Sequence, residues 1–224
     1  MLQNKAYIVG VGPGSPGYVT AEAQRVIRES DIVVGWEFNF LPVKPLIAGK
    51  KVYLQDASNY IQVAGEAAEA ARKQGKTVAV LRIGDPCISS GLAGLLKVFH
   101  DFEVKIVPGI SSVQMAAAAA RINLDESVII SFHDDDADLE EERIFMLDVF
   151  RRKRHLIIIT GPEQKPNETA NYLINNGISK TTPAVVCENL TLEDERIFRG
   201  ALTEVIPRQF SWLSVMVVKQ GDSS

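Results

Sequence analysis

Three glycine- and proline-rich stretches carry the residues best placed to handle a small ligand. Gly10-Val11-Gly12-Pro13-Gly14, Ile83-Gly84-Asp85-Pro86 and Pro108-Gly109-Ile110-Ser111-Ser112 each follow an apolar, partly β-branched run (Tyr7–Val9, Val78–Leu81 and Val104–Val107) and end it with turn chemistry. In an open α/β sheet the loops at the carboxyl ends of the strands line the ligand crevice. Loops of this composition shape such a crevice with backbone amides and carbonyls more than with side chains. Asp85 reads either as a ligand contact or as a turn residue, since Asp-Pro is a frequent turn pair.

Other groupings point to less. A dinucleotide fingerprint requires Gly-x-Gly-x-x-Gly; Gly10 and Gly12 fit, but Ser15 holds the third place and Pro13 has no N–H to offer a phosphate. Asp31 precedes the run Ile32–Val34, whereas a ribose-binding acid follows its strand, so a nicotinamide oxidoreductase is disfavoured. The acids Asp134, Asp135, Asp136 and Asp138 lack EF-hand spacing and its central glycine, and fit a solvated loop at a helix N-terminus. Arg151-Arg152-Lys153-Arg154 sits where a helix should end, and cations there complement the helix dipole. Cys87 and Cys187 form no CxxC or zinc spacing and read as reduced thiols; no protein-bound metal is expected. His133 is one of three histidines and follows a strand end; it is the side chain best suited to move a proton near neutral pH.

The elements that position these residues alternate. Strands are predicted at Tyr7–Val11, Asp31–Val34, Lys51–Leu54, Thr77–Ile83 and Val104–Val107, with helices ending near Glu29, Gly75 and Phe99, and another containing Met115–Ala120. Ser89 or Ser90 is the expected cap of the third helix, and Ser111 or Ser112 of the fourth. Trp36–Leu46 has no clear period and reads as a packed connecting loop or as an apolar surface for a large flat ligand. Short connections between strands and helices imply a mainly parallel sheet with flanking helices. The polar stretch Ile122–Glu126 suggests a boundary, giving an N-terminal α/β domain over 1–124 and a C-terminal one over 125–224. In the second, Val128–Phe132, His155–Thr160, Ala184–Cys187, Arg196–Phe198 and Trp212–Val218 are predicted strands, and the close pair around Asn189–Glu195 predicts a hairpin and a mixed sheet.

The chain has 224 residues, 46% hydrophobic and 23% charged, the composition of a soluble globular protein. A net charge of −4 argues against a nucleic-acid surface. No signal peptide and no apolar run of membrane-spanning length is visible, so the expected location is the cytoplasm, with no membrane partner.

Taken together, GVGPGSPGYVT, SDIVVG (Ser30–Gly35), GDP (Gly84–Pro86), VPGISSV (Val107–Val113), HLIIITG (His155–Gly161) and TPAVVCENLTLEDERIFRG (Thr182–Gly200) resemble, in order, the tetrapyrrole methylase family. Ser111–His133 is most similar to the branch that methylates C(5) of cobalt-precorrin-7 in cobalamin synthesis. The resemblance implies two α/β domains with a cleft between them for S-adenosylmethionine (SAM), released as S-adenosylhomocysteine (SAH). It implies donor contacts at Pro13, Ile83, Gly84, Asp85, Ile88, Ser111, Ser112, Thr160 and Leu190. Gly12, Gly14 and Arg121 become candidates for contact with a tetrapyrrole, whose carboxylates call for basic residues. His133 becomes the candidate proton-handling group, and any cobalt belongs to the substrate. The family further implies a homodimer and a separate C(15)-methylating, decarboxylating partner. Two departures stand out: Ile83 lies where many members have Gly or Ser, and Asp134-Asp135 follow His133 where Gly-Arg is common. The alternatives are a family methyltransferase acting at another ring carbon or on diphthine precursors, and a SAM- or tetrapyrrole-binding protein without turnover.

Overall fold

The computed structural model describes residues 4–88, 91–133 and 138–221. Contacts group the chain into two units, Met1–Ser111 and Ser112–Ser224.

The first unit runs β1 (Lys5–Gly10), α1 (Ala21–Glu29), β2 (Ile32–Gly35), α2 (Glu37–Phe40), α3 (Lys44–Ile47), β3 (Lys51–Leu54), α4 (Tyr60–Gln74), β4 (Val78–Arg82), α5 (Leu92–Val98) and β5 (Glu103–Val107). Its sheet has the order β3-β2-β4-β1-β5 and is wholly parallel. Side-chain alternation divides it into two faces. Ala6, Ile8, Ile32, Val34, Val78 and Val80 pack with Val63, Ala64, Ala67 and Ala68 of α4 and with Leu95 and Phe99. Val9, Val33, Ala79 and Leu81 pack with Ala23, Val26 and Ile27 of α1. Burial on both faces explains why β1, β2 and β4 read as continuous apolar runs. Thr20 caps α1, its Oγ1 accepting the Ala23 amide hydrogen at 3.1 Å.

The second unit runs α6 (Ser112–Ala120), β6 (Ser127–Ser131), α7 (Leu139–Arg151), β7 (His155–Ile159), α8 (Pro166–Asn175), β8 (Pro183–Glu188), β9 (Arg196–Ala201), α9 (Leu202–Val205) and β10 (Ser214–Val218). Its sheet order is β6-β7-β10-β8-β9, with β6 and β7 parallel and every other pair antiparallel. The expected hairpin is β8–β9. Met146 and Phe150 of α7, Leu173 of α8 and Leu202 of α9 pack on Ile130, Ile158, Val186 and Met216 of this sheet. The alanine helix α6 packs on β7, β8 and β10, and so groups with the second unit although it precedes the Ile122–Glu126 stretch.

Some expectations change. Trp36–Leu46 is not an irregular loop: α2, a 3-10 turn at Leu41–Val43 and α3 fill it, with Pro42 and Pro45 at first-turn positions where proline's missing N–H is harmless. Gly91, at φ 66°, is the N-cap of α5; Ser89 and Ser90, the caps expected from sequence, lie outside the described residues. So do Asp134, Asp135 and Asp136, whereas Asp138 caps α7 by accepting from the Glu140 and Glu141 amides. The basic run lies at the end of α7, where a helix end was expected; Arg152 pairs with Asp148 at 2.7 Å, while Arg151 and Arg154 donate to the carbonyls of Asn176 and Asp125.

Candidate active site

In the first unit the three motif loops meet backbone to backbone. β1 lies between β4 and β5, so the loops after all three emerge side by side at their carboxyl ends. A Cβ on Gly10 would stand 2.5 Å from the Gly84 carbonyl oxygen and 2.7 Å from the Gly109 nitrogen, and one on Gly109 would overlap that same carbonyl. Neither position has room for a methyl group. Gly12 and Gly84 form an isolated bridge: the Gly84 amide donates to the Gly12 carbonyl at 2.8 Å, and the reverse bond is 3.4 Å. Gly84 adopts φ 65°, the left-handed region that glycine enters without strain.

Asp85 holds this junction together. Its Oδ1 accepts the Cys87 amide hydrogen at 2.7 Å and its Oδ2 accepts that of Gly109 at 2.9 Å. The Ile88 amide donates to the Asp85 carbonyl at 3.1 Å, closing the turn. Pro13 is buried, Gly14 half-buried, and Ser111, 2% exposed, lies beside Gly84. Ile83 points outward, 39% exposed. The structure therefore brings Gly12, Gly84, Asp85, Ile88 and Ser111 together around one loop crossing.

The second unit carries the remaining candidates. Ser112 opens α6, and Arg121 ends it in a left-handed conformation (φ 55°), exposed. The amides of Arg121 and Ile122 donate to the carbonyls of Ala118 and Ala117, a Schellman closure that usually takes glycine. Thr160, 3% exposed, follows β7, and its hydroxyl donates to the Ser214 carbonyl at 2.9 Å. His133 is exposed after β6, its amide 3.4 Å from Ser131 Oγ. The β6 and β7 ends touch, since a Cβ on Gly161 would overlap the Phe132 carbonyl.

Leu190 is buried in the β8–β9 loop between two left-handed residues, Asn189 (φ 48°) and Thr191 (φ 69°). For a β-branched residue that conformation is strained. Acid side chains hold it: Asp194 accepts from Asn189 Nδ2 and Glu195 from the Thr191 amide, both at 2.6 Å. Sequence reasoning passed over buried Glu188, which accepts from Arg196 at 2.8 Å and from the Ser211 amide at 2.7 Å. It also passed over Arg82, whose one sequence signal was a cation closing an otherwise apolar strand just before Ile83-Gly84-Asp85.

Against this geometry stand the likenesses to known proteins. The family model for tetrapyrrole (corrin/porphyrin) methylases matches residues 5–206. The chain belongs to this family. It is a methyltransferase. The methylase is 36% identical to a probable cobalt-precorrin-7 C(5)-methyltransferase of Methanocaldococcus jannaschii, over 96% of this chain and 98% of that one. It is 27% identical to an S-adenosyl-L-methionine-dependent uroporphyrinogen III methyltransferase of Methanosarcina barkeri, over 90% of this chain and 84% of that one. Among solved structures, a precorrin-6Y methylase of cobalamin biosynthesis from Archaeoglobus fulgidus superposes with a TM-score of 0.68 at 25% identity, covering 97% of this methylase and 98% of that chain.

Proposed function

We propose that this methylase transfers a methyl group from SAM to C(5) of cobalt-precorrin-7, a step of cobalamin synthesis. The observation that carries this reading is the end-to-end similarity, at 36% identity, to the relative named for that reaction. When bound, SAM supplies an electrophilic methyl group on a sulfonium cation. The loop crossing suits such a donor: its own hydrogen bonds fix its backbone, and the Asp85 carboxylate keeps acceptor capacity beyond its two amide bonds. Pro13, Ile83, Gly84, Asp85, Ile88, Ser111, Ser112, Thr160 and Leu190 are the residues assigned to hold the donor. Gly12, Gly14 and Arg121 contact the tetrapyrrole, and His133 takes up the proton displaced at the acceptor carbon.

Methyl transfer between sulfur and carbon needs the reacting atoms in line at about 3–3.5 Å, and rigid loops supply much of the acceleration by holding that geometry. Cobalt enters as part of the substrate. Among the described residues no group of three His, Cys, Asp or Glu side chains is placed to hold a metal ion, and no helix is long and apolar enough to cross a membrane. The protein works in the cytoplasm as a homodimer, and a separate chain carries out the C(15) methylation and decarboxylation.

The test is calorimetric titration with SAH, followed by incubation of the enzyme with cobalt-precorrin-7 and 13C-methyl SAM. A single labelled methyl at C(5), located by NMR, is expected. No SAH binding overturns methyl transfer itself; label at another ring carbon overturns the regiochemistry and keeps the family chemistry.

A further inference from the structure

Arg82 closes β4, one residue before Ile83-Gly84-Asp85, at the end of a parallel sheet where ligands bind. Its side chain is half-buried, and its guanidinium lies over the Tyr60 ring, 5.5 Å from the centroid. No acid pairs with it among the described residues, and none of its N–H groups finds an acceptor there. The other arginines differ. Arg25, Arg72, Arg143, Arg152 and Arg196 pair with carboxylates, and Arg151, Arg154, Arg199 and Arg208 donate to carbonyls. Arg28 bonds Gln24, and Arg121 is exposed. Arg82 alone among the described arginines is withdrawn from water with neither an acid nor a hydrogen-bond acceptor to meet it.

Withdrawing a cation from water costs free energy unless an anion meets it. Burial accordingly pushes the Arg82 pKa down, opposed only by the Tyr60 ring beneath it. The surroundings hold the guanidinium in place. Tyr60 opens α4 and lies close against Gly91, where a Cβ would stand 2.7 Å from its hydroxyl oxygen. Val78 and Val80 pack toward α4, so alternation puts Arg82 on that same face.

A second polar group stands there unsatisfied. Gln55 follows β3, on the face to which Tyr53 packs, and is 3% exposed; its Oε1 has no hydrogen-bond partner among the described residues. β3, β2 and β4 are consecutive strands, so Gln55 and Arg82 stand about 10 Å apart along the sheet end, two strand spacings. A guanidinium fork and a carboxamide on one sheet face make a floor for a ligand carrying a carboxylate and a further polar group.

We propose that Arg82, braced by Tyr60, receives a carboxylate of a bound ligand, and that Gln55 contacts the same ligand. This rests on the methyltransferase reading, in which two ligands carry carboxylates: the tetrapyrrole on its side chains and the methyl donor at its amino-acid end.

The experiment separates these sources. Wild type, Arg82→Met and Arg82→Lys are melted without ligand, then titrated with SAH by calorimetry and with uroporphyrin III, an anionic tetrapyrrole, by fluorescence. The expected result is that Arg82→Met melts higher than wild type, because an unmatched cation has gone, while one affinity falls 10- to 100-fold and Arg82→Lys recovers part of it. A loss confined to uroporphyrin assigns the site to tetrapyrrole carboxylates; a loss confined to SAH assigns it to the donor. Affinities within twofold of wild type for both ligands overturn the proposal. So does a lower melting temperature or failed folding in Arg82→Met, which marks a structural arginine. Wild type that binds uroporphyrin but not SAH defeats the methyl-transfer reading and leaves this test intact; wild type that binds neither defeats both.

Discussion

Asp85 Oδ2 accepts the Gly109 amide hydrogen at 2.9 Å, tying the loop after β4 to the loop after β5 across the end of β1. The bond is possible because the residue at that end of β1 is Gly10, which leaves the crossing open. One carboxylate thus fixes the relative position of two loops to which the donor site is assigned.

Asp85→Ala removes both acceptors and leaves the Cys87 and Gly109 amides unmatched. We expect a loss of about 2 kcal/mol in stability, with SAH affinity reduced at least tenfold. Asp85→Asn keeps one acceptor oxygen and should fall between the two. Denaturant melts and calorimetry check this; unchanged SAH binding in Asp85→Ala would remove Asp85 from the donor site.

The glycines of the crossing should separate by cause. Gly109→Ala drives a methyl group into the Gly84 carbonyl, and backbone cannot retreat as a side chain can, so a loss of about 3 kcal/mol or more is expected. Gly84→Ala meets only ordinary contact, 3.5 Å from Ser111 Cα, and bears only the penalty of φ 65°, about 1 kcal/mol. Melting temperatures that reverse this order would refute the crossing geometry.

Much of the fold was legible because both units rest on strong local signals. Val78–Leu81 and Leu156–Ile159 are unbroken apolar runs, and the hairpin pair needed only two β-rich stretches close in sequence. Trp36–Leu46 was not legible, because its helices are single turns, too short to show a period, and proline at a first-turn position looks like proline in a loop. The site divides the same way. Gly10 and Gly109, where backbone approaches closely, and Gly84, which turns at positive φ, were marked by residue type alone, whereas the isolation of Arg82 depends on which side chains fail to reach it, and no spacing encodes that.

Arg121 occupies the left-handed C′ position of α6, where glycine avoids the penalty on a side chain. Arg121→Gly should raise stability by about 0.5–1 kcal/mol. If the guanidinium grips a tetrapyrrole carboxylate, the same variant shows a higher KM with kcat little changed. Steady-state kinetics beside thermal melts read both effects.

Acid should loosen the first unit. Hydrogen bonds from Arg25 and then Lys105 bring the Glu22 pKa down to about 2, and Arg72 does the same for Asp101. Both folded-state values lie below those of the unfolded chain, so these groups favour the fold above about pH 4.5, and their contribution is lost as pH falls toward 2. All these side chains are exposed, so added salt should weaken the effect. The paired variant Glu22→Gln with Asp101→Asn should show a shallower fall of melting temperature across that window.

The placement of β1 has a consequence for how the protein is made. Its sheet neighbours among the described residues are β4 and β5, whose pairing residues lie about 70 and 100 positions further along the chain. At roughly 5–20 residues per second of synthesis, β1 waits about 4 to 14 seconds after it is made before its nearer partner exists. For that interval Ala6-Tyr7-Ile8-Val9 is an unpaired apolar strand, open to the nascent chain of a neighbouring ribosome as readily as to its own. The yield of folded enzyme in a cell should therefore depend on translation speed and on chaperones that shield nascent segments, even where the finished sheet is stable.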